Sequence, residues 1–207
     1  MNKIIISNPQ HPLFEQISKL ENFVSLENLT DQSCELLIDF TAQDSNAKRK
    51  LFKKFNCPII SDLSLNDGES LLKEFRNIEI AISSVFPSPN LKAEVFYSLM
   101  TYKNELLDLF EKLDLKPIEV KAPGIGFIFG RTLVQIINEA WFALEDELAT
   151  EDAIDTAMLF GVNYPRGPLS WGAEAGLKNT VQLLEELFST TNQNRYKVCE
   201  KLKEASL

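Results

Sequence analysis

The stretch APGIGFIFGRTLVQIINEAWFALEDELATEDAIDTAMLFGVNYPRGPLSW, residues 122–171, divides the chain into two kinds of sequence. Within it, residues 130–149 set Leu133, Ile136, Ile137, Ala140, Trp141, Leu144 and Leu148 at three- and four-residue steps, one stripe of an amphipathic helix. Thr150 ahead of Glu151 and Asp152 is an N-cap signature for a second, short helix that Gly161 closes. The corner GVNYPRGPLSWG (161–172) follows, where Pro165 and Pro168 set φ and Gly167 allows a turn that other residues resist. TVQLLEELFST (180–190) and NRYKVCEKLKEAS (194–206) are helical again. No strand pattern survives beyond KAPGIG (121–126), so residues 122–207 are expected to form a helical domain.

Residues 1–121 read differently. KIIIS (3–7), CELLIDF (34–40), PIIS (58–61) and IEIAISSVF (78–86) are strand-like, and PIEV (117–120) ends the region. Between them, HPLFEQISKL (11–20), NAKRKLFKKF (46–55) and a long segment at 91–113 have helical spacing. Alternating helices and continuous apolar strands imply a parallel, doubly wound sheet. The basic run at 47–54 is expected to be the solvated side of an amphipathic helix.

The 207 residues carry a formal charge of −9, which argues against a nucleic-acid surface. No apolar run approaches the ~18–20 residues of a membrane span. The opening MNKIIISN turns polar too soon for a secretory signal, so cytoplasmic residence is the expectation. Cys34, Cys57 and Cys199 lack CxxC spacing and are expected to be reduced structural thiols. His11 is the single histidine, so a His₂ or His₃ metal site cannot form within the chain and no metal is expected.

Residues 122–171 resemble the C-terminal domain of 3-hydroxyacyl-CoA dehydrogenases, which reads PGF(I/V)xNR, then NEA on a helix, then EDIDxAMxxGxxxPxGP. Pro123, Gly124, Phe127, Arg131, Asn138, Glu139, Ala140, Glu151, Asp152, Ile154, Asp155, Ala157, Met158, Gly161, Pro165, Gly167 and Pro168 all match in order. Upstream, ISSVFPSPNLKAEV (82–95) is similar to the family's HFFNPVPxMKLVE, with Pro87, Pro89 and Lys92 in register. The resemblance implies a truncated Rossmann-like domain over 1–121, followed by a helical domain over 122–207 for dimerisation and substrate. Acyl-CoA would be the ligand class and a homodimer the assembly.

The family's NAD chemistry meets departures here. The cofactor loop wants GxGxxG after the first strand, but NPQHPLFEQI (8–17) has no glycine, and Pro9 and Pro12 each remove an N–H. No clear second strand supplies the acid for the ribose. In the register above, the catalytic histidine position is Ser83, the glutamate position is Val95 and the substrate asparagine position is Gly130. Glu94, one residue off, would point about 100° away on a helix. The family's active-site serine falls near Ser61 or Ser64.

No cofactor and no independent catalysis are therefore expected. Ser83, Arg131 and Arg166 are the candidates for substrate contact, and Trp141, Phe142 and Trp171 for an interface. His11 is expected as a surface residue flanking the first helix, with recruitment as a base as its alternative. The functional expectation is a non-catalytic acyl-CoA-binding or regulatory dimer in fatty-acid or acyl-CoA metabolism. One alternative is an active oxidoreductase on a 3-hydroxyacyl-CoA-type substrate with an atypical cofactor site. The other is a purely structural interaction partner.

Overall fold

The computed structural model describes residues 2–30, 33–86 and 88–207. Pro87, one of the aligned prolines, lies outside them, as does Met1. The unbroken Ile/Leu runs form β1 (Lys3–Ser7), β3 (Leu36–Phe40), β4 (Ile59–Asp62) and β5 (Ile78–Ser83), buried almost throughout. These four are parallel neighbours, as residues apolar on both faces require. β2 (Phe23–Ser25), β6 (Lys92–Tyr97) and β7 (Lys116–Glu119) complete a seven-stranded sheet of order β2-β1-β3-β4-β5-β6-β7. β6 runs antiparallel to β5, and β7 parallel to β6.

Three expectations are corrected here. The helix expected over 11–20 is a single turn, α1 (Phe14–Ile17). The segment 91–113 is strand β6 followed by α4 (Lys103–Lys112). Ala93, Val95 and Tyr97 alternate onto one face and Phe96 packs on the other, a period of two that the leucines of α4 mask. A second strand exists as β2, too short to stand out.

α2 (Ser45–Phe52) and α3 (Gly68–Glu74) cover one face of the sheet, placing Leu51, Phe52 and Leu71 against Ile4, Ile6, Leu37 and Ile78. Asp44 and Asp67 cap them through their side chains. On the other face Ile17, Leu106, Leu109 and Phe110 pack on Ile38, Ile60, Ile80 and Ile82. The basic run is only partly solvated, because Lys48 is fully buried. Its ammonium donates to Asp39 at 2.5 Å, and Thr41 gives its N–H and hydroxyl to the other Asp39 oxygen. With both charges hydrogen-bonded, the buried pair is satisfied; removing either partner would strand the other.

Beyond β7 the chain is helical: α5 (Phe129–Glu145), α6 (Glu151–Gly161), α7 (Pro168–Ala175), α8 (Leu177–Thr191) and α9 (Glu200–Ala205). Among the described residues no helix is long and apolar enough to cross a membrane. The helical core includes Ala42, Leu65, Val85 and Phe86, which follow β3, β4 and β5. The helices therefore sit on the carboxyl ends of the strands. Glu186 of α8 fastens them there, accepting from the Ser45 hydroxyl at 2.5 Å and the Asp67 N–H at 3.1 Å.

The second half of the 161–172 corner is α7, opened by Pro168 at its first position. Asp155 of α6 caps it, accepting from the N–H groups of Leu169 and Ser170 and from the Ser170 hydroxyl. Gly167 has an ordinary φ of −66°, so a turn is not what demands glycine. A Cβ there would lie 2.1 Å from Asp155 Cγ. The corner is thus a helix cap supplied by a neighbouring helix. Asp155→Ala should cost roughly 1–2 kcal/mol by loss of that cap, which thermal denaturation would record as a fall of about 2–8 °C; an unchanged melting temperature would show that the cap contributes nothing.

Candidate functional site

The carboxyl ends of β1, β4 and β5 meet around Asp62, the last residue of β4. One carboxylate oxygen accepts from Ser64 N–H at 2.9 Å and Ser64 Oγ at 2.5 Å. The other accepts from Ser84 N–H at 3.0 Å, Ser84 Oγ at 2.5 Å and His11 Nε2 at 3.2 Å. Ser83 Oγ lies 3.1 Å from Ser64 Oγ and so joins the same network. Burial by itself raises the Asp62 carboxyl, but the hydrogen bond from His11 and those from the two serine hydroxyls outweigh it. The net direction is below the ordinary value.

His11 is only 1% exposed, which corrects the surface placement. The loop after β1 turns its imidazole inward, edge-on to Phe40. Nδ1 accepts the Leu13 N–H at 3.1 Å, so the tautomer inferred from this network carries its proton on Nε2 and presents it to Asp62 and Ser84. Both ring nitrogens are occupied. In this arrangement His11 has no free lone pair with which to take a proton from a substrate.

Across the β5–β6 hairpin the residue opposite Ser83 is Glu94, and Val95 stands opposite Ile82 in the core. Glu94 lies on a strand, so the helical angle that would have turned it aside does not apply. Its carboxylate accepts from the Ile128 N–H at 3.2 Å and the Phe129 N–H at 2.9 Å, capping α5 in place of a local side chain. Gly130 follows in the first turn of α5, and a Cβ there would lie 2.7 Å from the Phe86 ring. The ring, itself buried in the interdomain core, takes the space that a larger side chain at 130 would need.

Two open depressions flank this packed centre. A crevice of about 550 Å³ at the carboxyl ends of β1, β2 and β3 is lined by Asn8, Pro9, Gln10, Glu27, Asp44 and Lys178 among others. Glu27 is thus an acid just past β2 that the sequence reading missed. Asn179 of α8 bonds the Gln10 carbonyl at 3.1 Å, pinning the loop that follows β1. These residues do not fit a dinucleotide. The loop has no glycine, and a pyrophosphate would meet two carboxylates and one ammonium. On the other side a groove of about 860 Å³ runs between the hairpin and α5, walled by Ile118, Val120, Ile128 and Phe129, with Lys92 and Lys121 beside them. It shares Phe129 and Thr132 with a smaller apolar pocket of about 140 Å³ against Tyr164, Pro165 and Trp171.

The remaining sequence candidates are dispersed. Arg131 is bound to the Tyr196 hydroxyl and stacks on that ring, and Arg166 pairs with Glu174. Ser83 lies in the Asp62 network, so the structure does not bring these three together. Ser61 belongs to the Asp39–Lys48 pair and Ser64 to Asp62. Trp171 is 5% exposed and packed on Phe129, which makes it core rather than surface; Trp141 and Phe142 are half-buried against the same cluster.

Comparison with known proteins matches residues 126–206 to the 3-hydroxyacyl-CoA dehydrogenase, C-terminal domain. The chain is 46% identical over 82 residues to the 3-hydroxyadipyl-CoA dehydrogenase of Escherichia coli, covering 40% of this chain and 17% of that one. It is 30% identical over 197 residues to a probable 3-hydroxybutyryl-CoA dehydrogenase of Deinococcus radiodurans, covering 87% of this chain and 68% of that one. Among solved structures, the (S)-3-hydroxybutyryl-CoA dehydrogenase of Ralstonia eutropha superposes with a TM-score of 0.69 at 20% identity, over 99% of this chain and 93% of that one. At that identity the likeness speaks to the fold.

Because the folded state holds Asp62 below its unfolded value, its contribution to stability is complete above the unfolded carboxylate range, about pH 4. It is lost as pH falls through the lower, folded value. Urea denaturation of the native chain should therefore lose stability from pH 6 toward pH 3 more steeply than that of Asp62→Asn, which starts lower at neutral pH; parallel profiles would contradict the assignment.

Proposed function

Since this chain belongs to the 3-hydroxyacyl-CoA dehydrogenase family, we propose that it is a non-catalytic member that binds an acyl-CoA and acts as a dimer, in a binding or regulatory role. One observation carries this reading. The chain's own His11 and Phe86 occupy the interdomain centre, with neither a free base nor a glycine cradle beside them. On this reading no cofactor is required, and NAD has no seat.

The groove between the hairpin and α5 supports the acyl-CoA half of the proposal. Its wall of Ile118, Val120, Ile128 and Phe129 suits an acyl or pantetheine chain, and the pocket at Tyr164 and Pro165 extends that apolar lining. Lys92 and Lys121 are cations within reach of the same groove for phosphate groups. For the dimer, Leu148, Val162 and Phe160, the last 84% exposed, present an apolar surface on the helical side that a second copy would cover. Glu94 favours one second reading, since of the ionisable groups lining the groove, Lys92, Glu94, Glu119 and Lys121, it is the carboxylate that stands opposite Ser83. That reading is an oxidoreductase with an atypical cofactor site.

The two readings separate in one assay set. NADH oxidation on acetoacetyl-CoA is expected to stay at the level of a protein-free blank and of a Glu94→Gln control, while acetoacetyl-CoA raises the melting temperature of the native chain. Turnover above both would establish the oxidoreductase. No thermal shift with any acyl-CoA would remove the ligand and leave a structural interaction partner, and light scattering showing a monomer at micromolar concentration would remove the dimer.

A further inference from the structure

At the opposite ends of the strands from Asp62, Cys34 and Cys57 are free thiols whose sulfur atoms lie 3.1 Å apart. Cys34 leads into β3 and Cys57 into β4, and the two strands are bonded just beyond them by Leu37 N–H to the Pro58 carbonyl at 3.0 Å. The Asn77 amide donates to the carbonyls of Phe55 and Cys57 at 3.3 and 2.8 Å, fixing the turn that presents Cys57. Both thiols are half-buried at the margin of one core cluster, so a small reagent can reach them. Among the described residues no third His, Cys, Asp or Glu stands with them to complete a metal site.

We propose that Cys34 and Cys57 form a reversible intramolecular disulfide, a redox modification site at the amino-terminal edge of the sheet. The oxidant is a low-molecular-weight disulfide of the glutathione class. The Cys57 thiolate attacks one of its sulfurs and expels one small thiolate, leaving a mixed disulfide on Cys57. Cys34 then attacks the Cys57 sulfur and expels the second. Two protein thiols are oxidised, the reagent is reduced to two thiols, and the two protons pass to the leaving thiolates. Burial first, then the hydrogen bond and charge of Cys57, push the Cys34 thiol up to about 12, so an oxidant that caps Cys57 also relieves Cys34. Once Cys57 is capped, the last two of those causes are gone. The bond closes a loop of 23 positions that contains β3 and α2, and it joins the amino ends of β3 and β4.

Titrating the full chain with oxidised glutathione tests this. Accessible plus denaturant-exposed thiols should fall from three to one, intact mass should fall by two hydrogens, and peptide mapping should join Cys34 to Cys57. The melting temperature should rise by about 6–12 °C and return on reduction by dithiothreitol. Cys199→Ser should keep the shift, whereas Cys34→Ala and Cys57→Ser should lose it. Three thiols persisting in excess oxidant, or only glutathione adducts and intermolecular disulfides as products, would overturn the proposal.

Discussion

The Asp62 carboxylate accepts five hydrogen bonds, two from Ser64, two from Ser84 and one from His11. A carboxylate buried to that depth is tolerable only when its lone pairs are filled, and here the fillers come from three separate stretches of chain. That requirement draws the loop after β1 down to the ends of β4 and β5. It also fixes the backbone at Ser84, from which Val85 and Phe86 continue into the core beneath the helices. The polar knot and the apolar interdomain core are consecutive residues of one strand end.

The consequence is a tension between scaffold and chemistry. The helical domain keeps its family architecture down to the cap of α7 by Asp155, and it sits on the strand ends where α/β folds bind ligands. Yet the space at those ends is taken by the protein's own groups. The imidazole lies at the junction of β1, β4 and β5, and the Phe86 ring lies against Gly130. What stays open lies to either side, as a crevice with two acids and a groove with apolar walls. Under the proposed reading the acyl-CoA role survives in the groove, and the redox role of the family has no seat.

The strands β1, β3, β4 and β5 were legible because a strand buried on both faces leaves an unbroken apolar run. Most of the helical half was legible because Thr150 and Gly161 mark element ends by local chemistry. α7, by contrast, lay hidden in the proline corner, where Pro168 opens a helix that the crowding of glycines and prolines disguises. β6 was hidden too, since its alternation of Ala93, Val95 and Tyr97 is short and runs into the leucines of α4. Lys48 looked like one more solvated lysine because nothing in a sequence reports that Asp39, nine residues earlier, waits on the adjoining strand. His11 was read as exposed for the same reason: its partner Asp62 is 51 positions away. The serine two residues after Asp62 was the one local hint, since an aspartate commonly binds the backbone there. Groups that pair at long range are hidden from periodicity, and the candidate site consists of such groups.

Equilibrium titration of NADH by its fluorescence in the presence of the chain tests the central claim most directly. With His11 and Phe86 in the interdomain centre, no saturable enhancement should appear, with or without acetoacetyl-CoA. A saturable change at stoichiometric ratio would show that the crevice opens to a dinucleotide, and the account of a closed site would then be wrong.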